Sequence, residues 1–126
     1  MSADPITGLA GAAIGPGAGR GYRNSPIQKI IATTAPALTS YQAAPNDATI
    51  LVDATAAAFS LYLPPAAQAA GRIYTVKKVD SGANAVTLSD VSGATIEGAA
   101  TLALAAQYGT AIVQSDGTSW WRVGKI

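Results

Sequence analysis

The chain has 126 residues, with 8 basic and 7 acidic side chains and a formal net charge of +1. It contains no Cys and no His, which excludes disulfides, thiolate chemistry, metal sites built on those residues and catalytic triads with a His base. The length fits one domain. Sparse, balanced charge without a basic block argues against nucleic acid as a partner. No stretch approaches the roughly 20 apolar residues that span a bilayer, and the first residues lack the basic start of a signal peptide, so we expect no membrane association.

Charged residues make up only 12% of the chain, about half the fraction found in an average soluble domain. Hydrophobic residues, many of them Ala, make up 49%. This balance favours a subunit whose surface is partly covered by neighbouring chains. The alternative is an Ala-rich monomer.

Residues 1–28 have the composition of an extended, Gly/Ala-rich N-terminal arm. Glycine occurs at nearly every second or third position between Gly8 and Gly21, and glycine weakens both helices and strands. The segment is therefore either a disordered tail or an arm that becomes ordered against a partner. Apolar side chains such as Ile14 and Tyr22 favour the second interpretation.

Residues 29–47 are predicted to form a strand and a Pro-punctuated connector, and residues 48–126 a β domain. Period-two alternation and β-branched runs predict the strands of that domain. They are expected at 48–53, 59–63, 72–79, 85–89, 95–98, 101–104, 108–114 and 119–123. Asp116-Gly117 between the last two is a hairpin signal, and only residues 66–71 could be helical. This spacing predicts an all-β fold, a small antiparallel β-sandwich or barrel of jelly-roll type.

The second half of the chain contains six short sequence motifs. Each motif alone is weak, but their order along the chain is more specific. They are FSLYLPPA (59–66), GRIYTVKK (71–78), AVTL (85–88), TIEGAAT (95–101), QYG (107–109) and SDGTSW (115–120). In this order they resemble a structural β module of tailed bacteriophages, found mainly in tail fibres and in head decorations or head fibres. The resemblance does not cover residues 1 to about 45.

The resemblance implies a homotrimeric virion protein, assembled in the host cytoplasm, with no catalytic residues to carry over. Because the module makes up nearly the whole chain, a capsid decoration or head-fibre protein is favoured, with the major capsid protein as its partner. The arm would dock there through Ile14, Arg20, Tyr22 and Arg23. The alternative is a tail-fibre or tail-tip module that joins a tail-fibre or baseplate protein and binds a host-surface glycan or protein.

Aromatic side chains are enriched at interface centres, so Tyr74, Trp120 and Trp121 are the predicted subunit-interface residues. Trp120 and Trp121 are adjacent and must point to opposite sides of a strand. One is expected in the core, and the other is expected to be covered by a neighbouring subunit or left exposed. The alternative to an interface role is a Trp packed under its own loop.

The carboxylates are scattered, and we expect no enzyme, no cofactor and no metal. A carboxylate pair for glycoside hydrolysis, with Glu97 facing Asp53 or Asp90, has no supporting pattern. A calcium site from Asp80, Asn84 and Asp90 is the alternative to simple turn chemistry, which is preferred. The dinucleotide-binding glycine fingerprint fails because Arg20 stands at its third glycine position. Lys77 and Lys78 are expected at a solvated strand edge, the alternative being a pair across a subunit contact.

Overall fold

The computed structural model describes residues 26–125, and this part of the chain is almost entirely β. The strands are β1 (Ile27–Ile31), β2 (Thr33–Thr34), β3 (Ala37–Leu38), β4 (Ser40–Gln42), β5 (Thr49–Asp53), β6 (Phe59–Leu63), β7 (Ile73–Lys78), β8 (Val86–Asp90), β9 (Leu102–Leu104), β10 (Thr110–Ser115) and β11 (Trp120–Lys125). A 3-10 helix (Ala66–Gln68) lies between β6 and β7. Among the described residues, no helix is long and apolar enough to cross a membrane.

The strands form two main sheets and a small ribbon. The five-stranded sheet has the order β11-β10-β7-β5-β1, the four-stranded sheet has the order β9-β8-β6-β4, and β2 pairs with β3. In the first sheet β1, β5 and β7 run parallel, and in the second β4, β6 and β8 run parallel. The antiparallel pairs are β7–β10, β10–β11, β8–β9 and β2–β3.

This order shows that the chain winds between the sheets. From β4 to β8, successive strands alternate between the two sheets, and from β5 onward each pairs in parallel with the strand one winding earlier. The result is three stacked coils, β1–β4, β5–β6 and β7–β8, which resemble a short two-sided β-solenoid. Strands β9, β10 and β11 then close the two sheets with antiparallel pairs.

The expected all-β class with packed sheets is confirmed, but the expected antiparallel pairing is wrong. The sheets are mixed, because strands of successive coils pair in parallel and only β9, β10 and β11 add antiparallel pairs. Strand β1 starts at Ile27, and residues 27–42 supply the first coil of the two sheets. The strand predicted at 95–98 is instead a tight turn with positive φ at Glu97 and Gly98. The helical prediction at 66–71 is reduced to three residues.

One core lies between the two main sheets, and strand alternation fills it from both sides. In β7, for example, Tyr74, Val76 and Lys78 are buried while the residues between them face outward. The largest fully buried apolar side chains come from both sheets. They include Trp120, Tyr74, Phe59, Ile50, Leu61, Leu63, Leu88, Ile96 and Val76.

Lys78 is a fully buried cation at the end of β7, which corrects the prediction of a solvated edge for this residue. Its Nζ lies 2.7 Å from Asp80 Oδ2 and also donates to the carbonyls of Asp80 and Gly82. Asp80 in turn accepts from the Ala54 and Gly82 amides. Burial opposes the charge of Asp80, but these bonds outweigh it and hold its pKa below the ordinary value.

The two adjacent lysines provide a matched test of this arrangement. Lys78→Met removes one partner of a buried ion pair and should lower the free energy of unfolding by about 3 kcal/mol. Lys77→Met, on the outward side of the same strand, should change it by less than about 1 kcal/mol. Urea unfolding measures both, and equal effects would contradict the inward placement of Lys78.

Candidate interaction surface

The outward side of the five-stranded sheet carries several exposed hydrophobic side chains. We call it the outer face, and it consists of the side chains that point away from the core. They are Ile27, Lys29, Ile31, Thr49, Leu51, Asp53, Ile73, Thr75, Lys77, Ile112, Gln114 and Trp121, with Val123 beside them. Of these, Ile27, Ile31, Ile73, Trp121 and Val123 are exposed hydrophobic side chains.

Strand register arranges the outer face in rows across the sheet. One row runs Ile27, Thr49, Thr75, Ile112 and Gly124, and the next runs Ile73, Gln114 and Trp121. Gly124 packs closely on its neighbour in the first row, since a Cβ there would lie 2.9 Å from Ile112 Cδ1 and that side-chain end would have to shift. We call these two the neutral rows, because they contain no charged side chain.

The charges of the outer face are confined to the other two rows. Lys29 and Lys77 lie in one row with Leu51, and Asp53 lies opposite Ile31 at the margin. Lys77 Nζ lies 5.5 Å from the centre of the Tyr108 ring, within the range of a cation–π contact. One half of the face is thus neutral and the other half is charged.

The structure separates the two tryptophans as the alternation of a strand requires. Trp120 is 0% exposed and Trp121 is 44% exposed. Tyr74 is also fully buried and packs on Trp120, with ring centres 5.8 Å apart. Tyr74 and Trp120 therefore belong to the subunit core, which corrects their assignment to a subunit interface. Trp121 alone of the three reaches the surface.

Trp120 faces inward because a buried carboxylate accepts its N–H. Asp90 Oδ2 accepts from Trp120 Nε1 at 3.0 Å and from the Ala66 amide at 2.8 Å. Asp90 Oδ1 accepts from the Ser92 amide and hydroxyl, both at 2.6 Å. Burial opposes the charge of Asp90, but these hydrogen bonds outweigh it and keep its pKa below the ordinary value of 3.8.

Trp121 is held in one orientation although its ring faces solvent. Its Nε1 donates to Asp116 Oδ2 at 2.8 Å, and Asp116 Oδ1 accepts from the Thr118 and Ser119 amides at 2.8 and 2.9 Å. The ring borders a shallow hollow of about 440 Å³. Side chains from β10, β11 and the turn between them line the hollow: Gln114, Ser115, Asp116, Trp121 and Val123. This surface therefore presents a positioned aromatic ring beside polar groups.

The outer edge of β11 is covered by the turn that precedes β9. Trp120 exchanges backbone hydrogen bonds with Thr95 and Glu97, at 2.9 and 3.0 Å. The Glu97 carboxylate accepts from the Arg122 amide at 2.8 Å. These bonds satisfy groups that would otherwise be open to a further strand.

The carboxylates considered for chemistry are engaged as local acceptors at separate places. Asp53 accepts from the Thr55 amide and hydroxyl, and Asp90 lies beneath Trp120. Asp80 and Asn84 both bond to Ala54, away from the Asp90 network. Within residues 26–125, no three carboxylates come together as metal ligands. Turn and core chemistry accounts for each of these side chains.

The arm residues Ile14, Arg20, Tyr22 and Arg23 lie outside the described residues. No protein-family model matches the chain, and no curated protein matches it either.

The opposite placement of the two tryptophans gives a direct test. Trp120→Phe loses a bond to a buried carboxylate and leaves a cavity, so it should lower the free energy of unfolding by about 2–4 kcal/mol. Trp121→Phe should change it by no more than about 0.5 kcal/mol, because its ring is exposed. Denaturant titration of both variants is the measurement. A larger cost at Trp121 would contradict the assignment.

Asp90 should also link stability to pH. Since its pKa is lower in the folded chain, its stabilising effect is present above the ordinary value of 3.8 and is lost as pH falls through the folded value. Asp90→Asn should lower the free energy of unfolding at neutral pH by about 1–3 kcal/mol. It should also reduce the further loss between about pH 5 and pH 2. A variant whose pH curve runs parallel to that of the wild type would refute this linkage.

Proposed function

We propose that the chain is a structural subunit of a tailed-bacteriophage virion, a capsid decoration or head-fibre protein. In this proposal it assembles as a homotrimer in the host cytoplasm and docks on the major capsid protein through its N-terminal arm. It acts by adhesion or reinforcement and carries out no catalysis.

The observation that carries the proposal is the outer face. A domain with a complete core between its sheets still exposes Ile27, Ile73 and Trp121 on the outward side of one sheet. Exposed apolar side chains grouped on one side of a domain are typical of a contact between macromolecules. It supports a subunit of an assembly better than it supports an enzyme, since the carboxylates are engaged in turns and in the core.

The resemblance to phage structural modules supports the choice of assembly. The motifs that carry the resemblance coincide with strands and turns of the domain: FSLYL is β6, IYTVKK is β7, and SDGTSW includes the turn from β10 into β11. The order of the motifs is therefore the order of these strands and turns along the chain. An unrelated β protein has no need to share these parts in this order.

The position of β1 is compatible with docking through the arm. The described chain begins at Pro26, directly before β1, which is an edge strand of the five-stranded sheet. A segment that precedes β1 thus joins the domain at a sheet margin, beside Ile27 of the neutral rows.

Host recognition by a tail fibre or tail tip is the second candidate, and one observation favours it. The hollow beside Trp121 groups an exposed aromatic ring with Gln114 and Asp116. Sugar-binding surfaces use this combination, in which the ring provides an apolar platform and the polar groups fix orientation. The binding experiment therefore includes host cells as well as capsids.

Removal of the arm tests the favoured function. A chain lacking residues 1–24 should remain folded and oligomeric, because the described sheets begin at Ile27. It should no longer add to undecorated capsids that the full chain saturates. Mass photometry measures the oligomer, and cosedimentation with capsids measures binding.

The full chain is the matched control, and each other outcome has a definite meaning. If the truncated chain binds capsids as well as the full chain does, docking through the arm is refuted. If the full chain binds host cells and ignores capsids, the tail-fibre function replaces decoration. If the full chain binds neither, both functions are refuted.

A further inference from the structure

Two hollows lie beside β11, and they differ in the side chains that line them. One, of about 370 Å³, is bordered by the oppositely charged Glu97 and Arg122 and has no aromatic ring in its lining. The other, of about 440 Å³, is bordered by the ring of Trp121 and has no lysine or arginine in its lining. We call it the Trp121 hollow. Its volume falls in the range of about 300–1,000 Å³ that is usual for small-molecule sites.

The Trp121 ring is prepared for contact through its face. Its N–H, which is the one polar group of an indole, already donates to Asp116 Oδ2 at 2.8 Å. The ring is therefore fixed in orientation although the residue is 44% exposed. A ligand that packs on a ring held in this way loses little binding energy to the ordering of side chains.

The polar groups left free in the Trp121 hollow are acceptors. Asp116 Oδ2 accepts one bond from Trp121, and a carboxylate oxygen has a second lone pair. Gln114 Nε2 donates to the Gly71 carbonyl at 3.2 Å, and no described residue donates to the Gln114 carbonyl oxygen. Ser115 is buried, and its hydroxyl both donates and accepts within the domain. A ligand must therefore bring hydrogen-bond donors, such as hydroxyl groups.

The charges around the Trp121 hollow argue against an ionic ligand. A phosphate, sulfate or carboxylate would find no lysine or arginine among the lining residues. Asp116 is ionised at neutral pH, because the Ser119 amide and the Trp121 indole hold its pKa below the ordinary value of 3.8. Asp116 is exposed, however, so solvent screens its attraction for a cation, and cation recognition by aromatic side chains typically uses a cage of several rings. One ring with two acceptors favours a neutral ligand.

We propose that the Trp121 hollow binds a neutral saccharide, which stacks on the Trp121 ring and donates its hydroxyl groups to Asp116 and Gln114. A pyranose has an apolar C–H face and hydroxyl groups around its rim, so it matches an aromatic platform with acceptors beside it. The inference goes beyond decoration, since it requires no capsid. It rests on the second candidate function only for the source of the saccharide, a host-surface glycan.

The two tryptophans provide an internal control in the unaltered full chain. The probe is an array of neutral oligosaccharides built from glucose, galactose, mannose and their N-acetylamino forms, with acidic and choline-bearing glycans included for comparison. The strongest neutral binder should shift the indole N–H resonance of Trp121 in an NMR titration. The resonance of Trp120, which is buried and bonded to Asp90, should stay in place. The Trp121→Phe variant assigns the two resonances.

Substitutions provide the second measurement, with affinity read by isothermal titration calorimetry. Trp121→Ala removes the platform and should weaken binding of the same oligosaccharide by about tenfold or more. Gln114→Ala removes one acceptor and should weaken it by about twofold to tenfold. Tyr62→Ala is the matched control and should leave the affinity unchanged, since Tyr62 is 37% exposed on the outward side of the other sheet. Circular dichroism establishes folding. If Trp121→Ala fails to fold, Gln114→Ala and the indole resonances decide.

Three results would overturn the inference. If no neutral oligosaccharide binds, or if only acidic or choline-bearing glycans do, the ligand class is wrong. If the bound oligosaccharide leaves the Trp121 resonance in place, or if its affinity survives Trp121→Ala, the saccharide binds elsewhere. If wild type binds capsids but no saccharide, and folded Trp121→Ala loses the capsids, the hollow is a capsid contact.

None of these three results refutes decoration, which is tested separately by capsid binding of the full and the truncated chain. A full chain that binds the oligosaccharide through Trp121 and ignores capsids supports the inference and refutes decoration. A full chain that does both, with Trp121→Ala losing the saccharide alone, supports the inference and leaves decoration standing.

Discussion

The alternation of successive strands between two facing sheets is the constraint on which the rest of the structure depends. Since β4 to β8 change sheet at each step, each strand must find a parallel neighbour one coil away. Inward residues of both sheets then meet in one core, and outward residues of each sheet form one regular surface. A slip of one residue would exchange these two sets. Asp90 opposes such a slip, because it is buried with the Trp120 indole N–H and the Ala66 amide as partners, and both come from distant parts of the chain.

Local sequence patterns identified individual strands well and their pairing poorly. Period-two alternation placed β6 at residues 59–63 and predicted a strand at 72–79 that contains β7. The same pattern is silent on which strands become neighbours, since parallel pairing joins residues far apart in the chain, such as Thr49 and Thr75. The coils also differ in length, so the sequence has no repeat of fixed period from which the winding could be predicted. Antiparallel pairing was predicted because hairpin signals are local, and the one at Asp116-Gly117 does join antiparallel strands.

The candidate surface was only partly predictable for a related reason. Adjacent tryptophans in a strand must face opposite sides, but their sequence does not say which one faces the core. Asp90, thirty residues from Trp120, decides this by accepting the indole N–H. Burial of Lys78 similarly depends on carbonyl groups that the turn at Gly82 turns toward it. Which of these side chains faces the core thus depends on polar partners that reach their positions only when the chain folds. Composition alone could suggest a covered surface. The strand register was needed to show which exposed side chains lie together on the outer face.

The β10–β11 hairpin has two consequences for assembly that follow from one local geometry. Its outer edge is covered by residues 95–97, which leaves little for an added strand to pair with. Its outward side carries Trp121, fixed by the turn residue Asp116. Covering the start of β11 opposes strand addition at that edge, and the bond to Asp116 leaves an aromatic ring exposed on the outward side of the same hairpin.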